Sequence, residues 1–160
     1  MSPGKRLLAV TLAALALGVA NGRAQAPARQ PKALLELFTS QGCSSCPPAD
    51  ALVIELSKDP DLIALTLPVT YWDYLGWKDT LADNRFTARQ KAYSLMRGDR
   101  DVYTPQVIVN GSAHVIGNDR AAIDTAVRDT RKNQEVMSVP VSMAVSGKQL
   151  NASVASANAG

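Results

Sequence analysis

The sequence predicts an α/β domain with the element order β-α-β-α-β-β-α and a β-hairpin appended at its C-terminal end. Three observations carry this reading. Strand-length apolar runs alternate with segments whose apolar residues recur at helical spacing. Asn110-Gly111 separates two strand-like runs, as in a tight hairpin. Both cysteines fall in one motif, Cys43-Ser44-Ser45-Cys46, where the first strand gives way to the first helix.

Ala33 to Thr39 is the first predicted strand. After the cysteines, Pro47-Pro48 opens a helix carrying Ala49, Leu52, Val53 and Leu56 on one face. Proline fits there because N–H groups in a first turn have no intrahelical partner. Asp61 to Thr70 is almost continuously apolar, the pattern of a buried parallel strand. Thr87-Ala88-Arg89-Gln90 reads as a capping box that starts a helix running to about Met96. Val102 to Val109, containing Pro105, and Ala113 to Ile116 are the third and fourth strands. Asp119 then caps a helix whose apolar face is Ala122, Ile123, Ala126 and Val127. The main domain is expected over residues 27–136. Beyond it, two runs ending at Val145 and Val154 flank a Ser-Gly-Lys turn. Two strands alone are marginal in water. This segment, 137–160, is expected either to dock on the main sheet or to begin a longer β-rich region.

Residues 1–26 read as a signal peptide. Lys5 and Arg6 precede an apolar stretch from Leu7 to Ala20, and Ala24-Gln25-Ala26 is a small-x-small cleavage site. The stretch falls short of the about 20 residues a membrane span needs. The expectation is a periplasmic or secreted protein with no stable membrane span after cleavage. Removing the segment also removes Lys5, Arg6 and Arg23, which account for the whole formal charge of +3. With no basic run interleaved with aromatics, nucleic acid is not an expected partner.

An exported protein lives where disulfides persist. As a structural staple, however, a four-residue loop is worth only about 2 kcal/mol, against about 3 for a 15-residue loop. A helix N-terminus lowers a thiol's pKa and favours the thiolate. The expected chemistry is therefore thiol–disulfide exchange with protein or small-molecule thiols and disulfides, without a cofactor. Cys43 would attack and Cys46 would resolve. A passive bridge, a Cu(I) site completed by His114, and a non-catalytic binding module remain open. His114 lies just past the hairpin turn, on what should be a far strand.

The element order, with Cys-x-x-Cys after the first strand and proline in the third, resembles the thioredoxin-like fold. That resemblance implies a cis bond at Thr104-Pro105, with Thr104 facing the dithiol. A closer resemblance is to a secreted thioredoxin-like family catalogued as domain of unknown function 1223. It is carried by the run from Glu36 to Asp50, by Tyr71-Trp72-Asp73-Tyr74-Leu75-Gly76-Trp77-Lys78-Asp79, by Val102-Tyr103-Thr104-Pro105-Gln106 and by Gly117-Asn118-Asp119-Arg120. The resemblance covers roughly residues 33–130. It implies redox chemistry without a defined substrate, and its members are generally longer. The family's second strand usually closes on His-Val-Asp, where this chain has Pro68-Val69-Thr70. Any proton-handling role of that His or Asp is absent here.

Two further groups are candidates. Glu36 lies mid-strand, where burial would raise its pKa. It would then exchange a proton with Cys46, or else be an acid paired with a nearby Lys or Arg. Residues 71–77 hold four of the eight aromatics, so Tyr71, Trp72, Asp73 and Trp77 are candidates for a substrate wall beside the dithiol. The alternative is a packed loop with Asp73 and Asp79 making turns.

Overall fold

Ala33–Thr39 forms strand β1, which pairs on both edges and is buried on both faces. In the computed structural model, which describes residues 31–133 and 139–156, it lies inside a four-stranded sheet. The remaining elements are α1 (Pro47–Leu56), β2 (Leu62–Pro68), α2 (Asn84–Arg97), β3 (Gln106–Val109), β4 (Ala113–Ile116), α3 (Arg120–Thr130), β5 (Val141–Ser146) and β6 (Gln149–Val154). The strand order is β2-β1-β3-β4, parallel between β1 and β2 and antiparallel elsewhere. This mixed α/β arrangement is consistent with the thioredoxin-like fold. The signal-peptide reading of residues 1–26, and the domain boundary drawn at 136–137, lie outside the described residues.

Because side chains alternate along a strand, β1 serves two cores. Ala33, Leu35 and Leu37 join Val107 and Val109 of β3 against Val53 and Leu56 of α1 and Ile123 and Ala126 of α3. Phe38 turns the other way, with Ile108, Leu67 and Val69, to meet Phe86 and Tyr93 of α2. Helices α1 and α3 therefore cover one face and α2 the other. Asp119 caps α3 through its carboxylate, which accepts from Ala122 N at 2.9 Å. Asn110 and Gly111 both take positive φ, 51° and 69°, as a two-residue hairpin turn requires.

Three local expectations are corrected. β2 is an edge strand, with Ile63 and Leu65 each 44% exposed, so its continuous apolar run is not buried on both sides. Helix α2 starts before the Thr87 capping box. Asp83 is the cap, accepting from Arg85 N at 2.7 Å, and a carboxylate beside Asn84 outcompetes the later hydroxyl. Thr87 is instead buried and accepts from Thr70 N at 3.0 Å. The third strand begins only at Gln106, because Pro105 has no N–H to give the ladder. The hairpin β5–β6 forms its own two-stranded sheet, with no pairing to the main one.

Gly117 marks the tightest junction. A Cβ added there would lie 2.9 Å from Leu37 Cδ1 and 3.0 Å from both Ala49 Cβ and Pro105 Cβ. Two of those three neighbours belong to rigid side chains in the core. Gly117→Ala should therefore destabilise the protein by about 1–3 kcal/mol, read as a lower urea midpoint at an unchanged slope.

Candidate functional site

Cys43 and Cys46 form a disulfide with a Cα–Cα distance of 5.4 Å. Cys46 is the N-cap of α1, and Pro47 and Pro48 occupy the first helical positions. The orphan donor positions of this helix are Cys46 to Ala49. Both prolines lack the hydrogen, Cys46 N donates to Cys43 O at 3.1 Å, and Ala49 N donates to Cys46 O at 2.9 Å. Helix α1 therefore keeps its macrodipole but has no free N–H at these positions to aim at a sulfur.

A hydroxyl fills that gap. The Thr104–Pro105 bond is cis, and Thr104 Oγ1 donates to Cys43 Sγ at 3.3 Å. Trp72 Nε1 in turn donates to Thr104 Oγ1 at 2.8 Å. An indole N–H is a donor only, so it occupies the hydroxyl's acceptor side and leaves the hydroxyl hydrogen for the sulfur. Ser45 Oγ lies 3.5 Å from the same sulfur. Cys43 is 2% exposed and Cys46 fully buried.

Both walls of the site are anchored. On one side, Gln90 Nε2 donates to Tyr103 O at 2.8 Å and to Gln106 Oε1 at 2.8 Å, fixing the segment that carries Thr104. On the other, the buried Asp79 carboxylate accepts from Gln41 N at 2.8 Å, Ser40 Oγ at 3.3 Å and Leu81 N at 2.9 Å. Asp79 thus ties the loop entering the dithiol to the loop following β2. Gly42 completes this joint, since a Cβ there would lie 3.2 Å from Trp72 Cβ.

The structure brings Cys43, Cys46, Thr104, Pro105 and Trp72 together. Tyr71 borders this group, and the remaining candidates lie elsewhere or only shape the loop. Glu36 is on the α2 face, where Arg89 Nε donates to Oε1 and Tyr93 Oη to Oε2, each at 2.6 Å. Burial and the adjacent Glu36 carboxylate both push the Tyr93 pKa up. Tyr71 is half-buried beside Thr104, its hydroxyl 3.3 Å from Gln90 Oε1; burial raises its pKa, opposed by hydrogen bonding to Gln90 and Thr104. Asp73 accepts from Asp79 N at 3.2 Å and so shapes the loop. Trp77 is 52% exposed, beside the exposed Tyr74, Leu75 and Leu81 in sequence. Tyr74 stacks on Trp72 with ring centroids 6.4 Å apart.

His114 lies on β4, with Nδ1 3.0 Å from Tyr103 Oη and Nε2 3.4 Å from Asp99. Among the described residues, the group with metal-capable atoms within 4.8 Å of one another is Asp99, Asp101 and His114, without either cysteine. Arg97 binds Asp99 at 2.6 Å, so that group already has its cation. Sequence reasoning missed Asp50 of α1 and Thr39 of β1, each with a buried oxygen that has no hydrogen-bond partner, and gave Asp79 only a turn.

A disulfide crowning a helix opposite a cis-proline defines the class: an α/β protein with an oxidised Cys-x-x-Cys site. The chain belongs to the family described as protein of unknown function DUF1223, whose model matches residues 34–160. It is similar to the crystal structure of protein AGR_C_4864 from Agrobacterium tumefaciens, at 39% identity and a TM-score of 0.73. The match covers 81% of this chain and 59% of that one, so the chain spans about three fifths of that relative's length. No curated protein matches it.

The hydroxyl relay makes a quantitative prediction for the reduced protein. A hydrogen bond to a charged group is worth about 1.5–3 kcal/mol, and one pKa unit about 1.4 kcal/mol. Thr104→Val should therefore raise the Cys43 thiol pKa by about one unit or more, followed by thiolate absorbance against pH. Trp72→Phe should raise it less, and adding Trp72→Phe to Thr104→Val should change nothing further. Additive shifts would mean that Trp72 acts by packing instead.

Proposed function

We propose that this protein is an exported thiol–disulfide oxidoreductase. The observation that carries the reading is the Thr104 hydroxyl aimed at Cys43 Sγ from 3.3 Å, because a donor at that sulfur stabilises the thiolate that exchange requires. In the reducing direction the Cys43 thiolate attacks a substrate disulfide and expels one substrate thiolate. Cys46 then attacks Cys43, releasing the second substrate thiol and restoring the protein disulfide. The substrate's backbone would lie along Thr104. The exposed Tyr74, Leu75 and Trp77 would offer its side chains an apolar surface. The signal-like N-terminus supports export, and among the described residues no helix is long and apolar enough to cross a membrane.

A second reading has one observation in its favour. With Cys43 only 2% exposed, a substrate reaches it only after a neighbour moves, as a binding module with a shaping disulfide would not require. The reduction potential separates the two. Equilibrated in glutathione buffers and read by alkylation, the pair should fall between about −120 and −270 mV for an exchange catalyst. A value below about −300 mV marks an inert bridge. Cys46→Ser should accumulate mixed disulfides through Cys43 in cell extracts, and Cys43→Ser should not.

A further inference from the structure

Resolution by Cys46 needs its S–H proton to go somewhere, and Cys46 is fully buried, away from bulk water. Its backbone is already helical (φ −79°, ψ −33°), and Asp50 N donates to Cys46 O at 3.0 Å. Cys46 and Asp50 are therefore four residues apart on a regular turn, where side chains share a face with about 5–6 Å between Cβ atoms. Helical Cβ atoms tilt toward the N-terminus, which directs Asp50 back toward Cys46.

The surroundings of Asp50 are unusual in what they lack. Its Oδ1 is buried with no hydrogen-bond partner, and so is Thr39 Oγ1. The alternation of β1 turns Thr39 to the α1 side, with Leu35 and Leu37. Burial raises the Asp50 pKa, and the nearby Thr39 hydroxyl opposes that shift without completing a bond. The charged groups on neighbouring elements are engaged elsewhere. Glu36 of β1 is on the opposite face with Arg89, β2 carries no titratable side chain, and Glu55 of α1 pairs with Arg120 of α3 at 3.1 Å. An unpartnered buried carboxylate oxygen is costly and calls for an occupant.

We propose that Asp50 exchanges a proton with Cys46 as the dithiol opens and closes, an assignment that rests on the exchange reading above. In the closing step the Asp50 carboxylate takes the Cys46 thiol proton, and the resulting thiolate attacks Cys43 Sγ of the mixed disulfide. The Cys43–Cys46 bond forms, the bond from Cys43 to the substrate sulfur breaks, and the substrate leaves as a thiolate. The protein dithiol is oxidised by two electrons and the substrate disulfide is reduced by two. In the opening step a substrate thiolate attacks Cys43, and neutral Asp50 protonates the departing Cys46.

The test uses the purified, reduced protein mixed with equimolar dithiobis-nitrobenzoate, a coloured disulfide that frees one thiolate on attack by Cys43 and a second on resolution by Cys46. Asp50→Asn should leave the first release unchanged and slow the second about 100-fold at pH 7. The gap should close at alkaline pH, where Cys46 ionises unaided. Asp50→Glu should keep the second release within about tenfold of the unmodified protein. In the unmodified protein, the second release should also show an inflection below the thiol range. An unchanged second release in Asp50→Asn, or a profile with a single thiol ionisation, overturns the role of Asp50. Failure of the unmodified protein to release the first thiolate overturns the exchange reading itself.

Discussion

Strand β1 is buried on both faces and hydrogen-bonded along both edges, and this constraint organises the molecule. A strand in that position has no solvent side, so its residues are pressed to be apolar or partnered, and Thr39, whose Oγ1 has no partner, is the exception at its end. Leu35 and Leu37 satisfy this against α1 and α3, and Phe38 against α2. Glu36 satisfies it by binding both Arg89 and Tyr93. The loop that leaves the strand at Ser40 enters the dithiol from a fixed direction. Asp79 then holds its first two residues. The opposite wall has similar support, since Gln90 grips Tyr103 and Gly117 N donates to Pro105 O at 3.0 Å. The sulfur atoms are thus positioned by two clamps rooted in separate loops and anchored to one sheet.

The start of α1 shows how the chemistry of that position is redistributed. Two successive prolines are compatible with a first turn, but each removes a donor that would otherwise face an anion. The helix dipole survives, because it is the sum over all its peptides, while short-range N–H donation at these positions does not. The Thr104 hydroxyl supplies the missing contact from the far wall. The indole of Trp72 orders it, so a residue on the aromatic loop bears on the electronic environment of Cys43. Loop and sulfur are joined a second time through Asp79, which bonds Leu81 on one side and Gln41 on the other.

The element order, the Asp119 cap and the Asn110-Gly111 turn were legible in the sequence because each depends on neighbours within a few residues. Thr87 misled for a related reason. Its capping-box pattern is locally sound, but Asp83 makes a stronger cap one turn earlier, and the hydroxyl then serves Thr70. The edge position of β2 was not legible, since an apolar run does not say how many strands flank it. The Trp72–Thr104 contact joins residues 32 positions apart, and no local pattern encodes that. Pro105 signalled its site only through family resemblance, because proline in a strand-like run has several meanings.

The two acids near the motif illustrate how finely strand parity divides function. Glu36 is mid-strand in β1 and looked suited to handle the Cys46 proton, but a one-residue offset in a strand reverses the face. Its neighbours on the side of α1 are Leu35 and Leu37, which have nothing to titrate. Glu36 on the other side is committed to a guanidinium and a phenol. Asp50 comes from helix α1 instead, four residues after Cys46, with one oxygen buried and unbonded. Proton transfer is easiest where the charged and neutral forms are close in energy. Burial moves the Asp50 carboxyl toward that condition. The ion pair lets the central strand carry a charge through the sheet; the unpaired acid is where that strand's neighbour has room for chemistry.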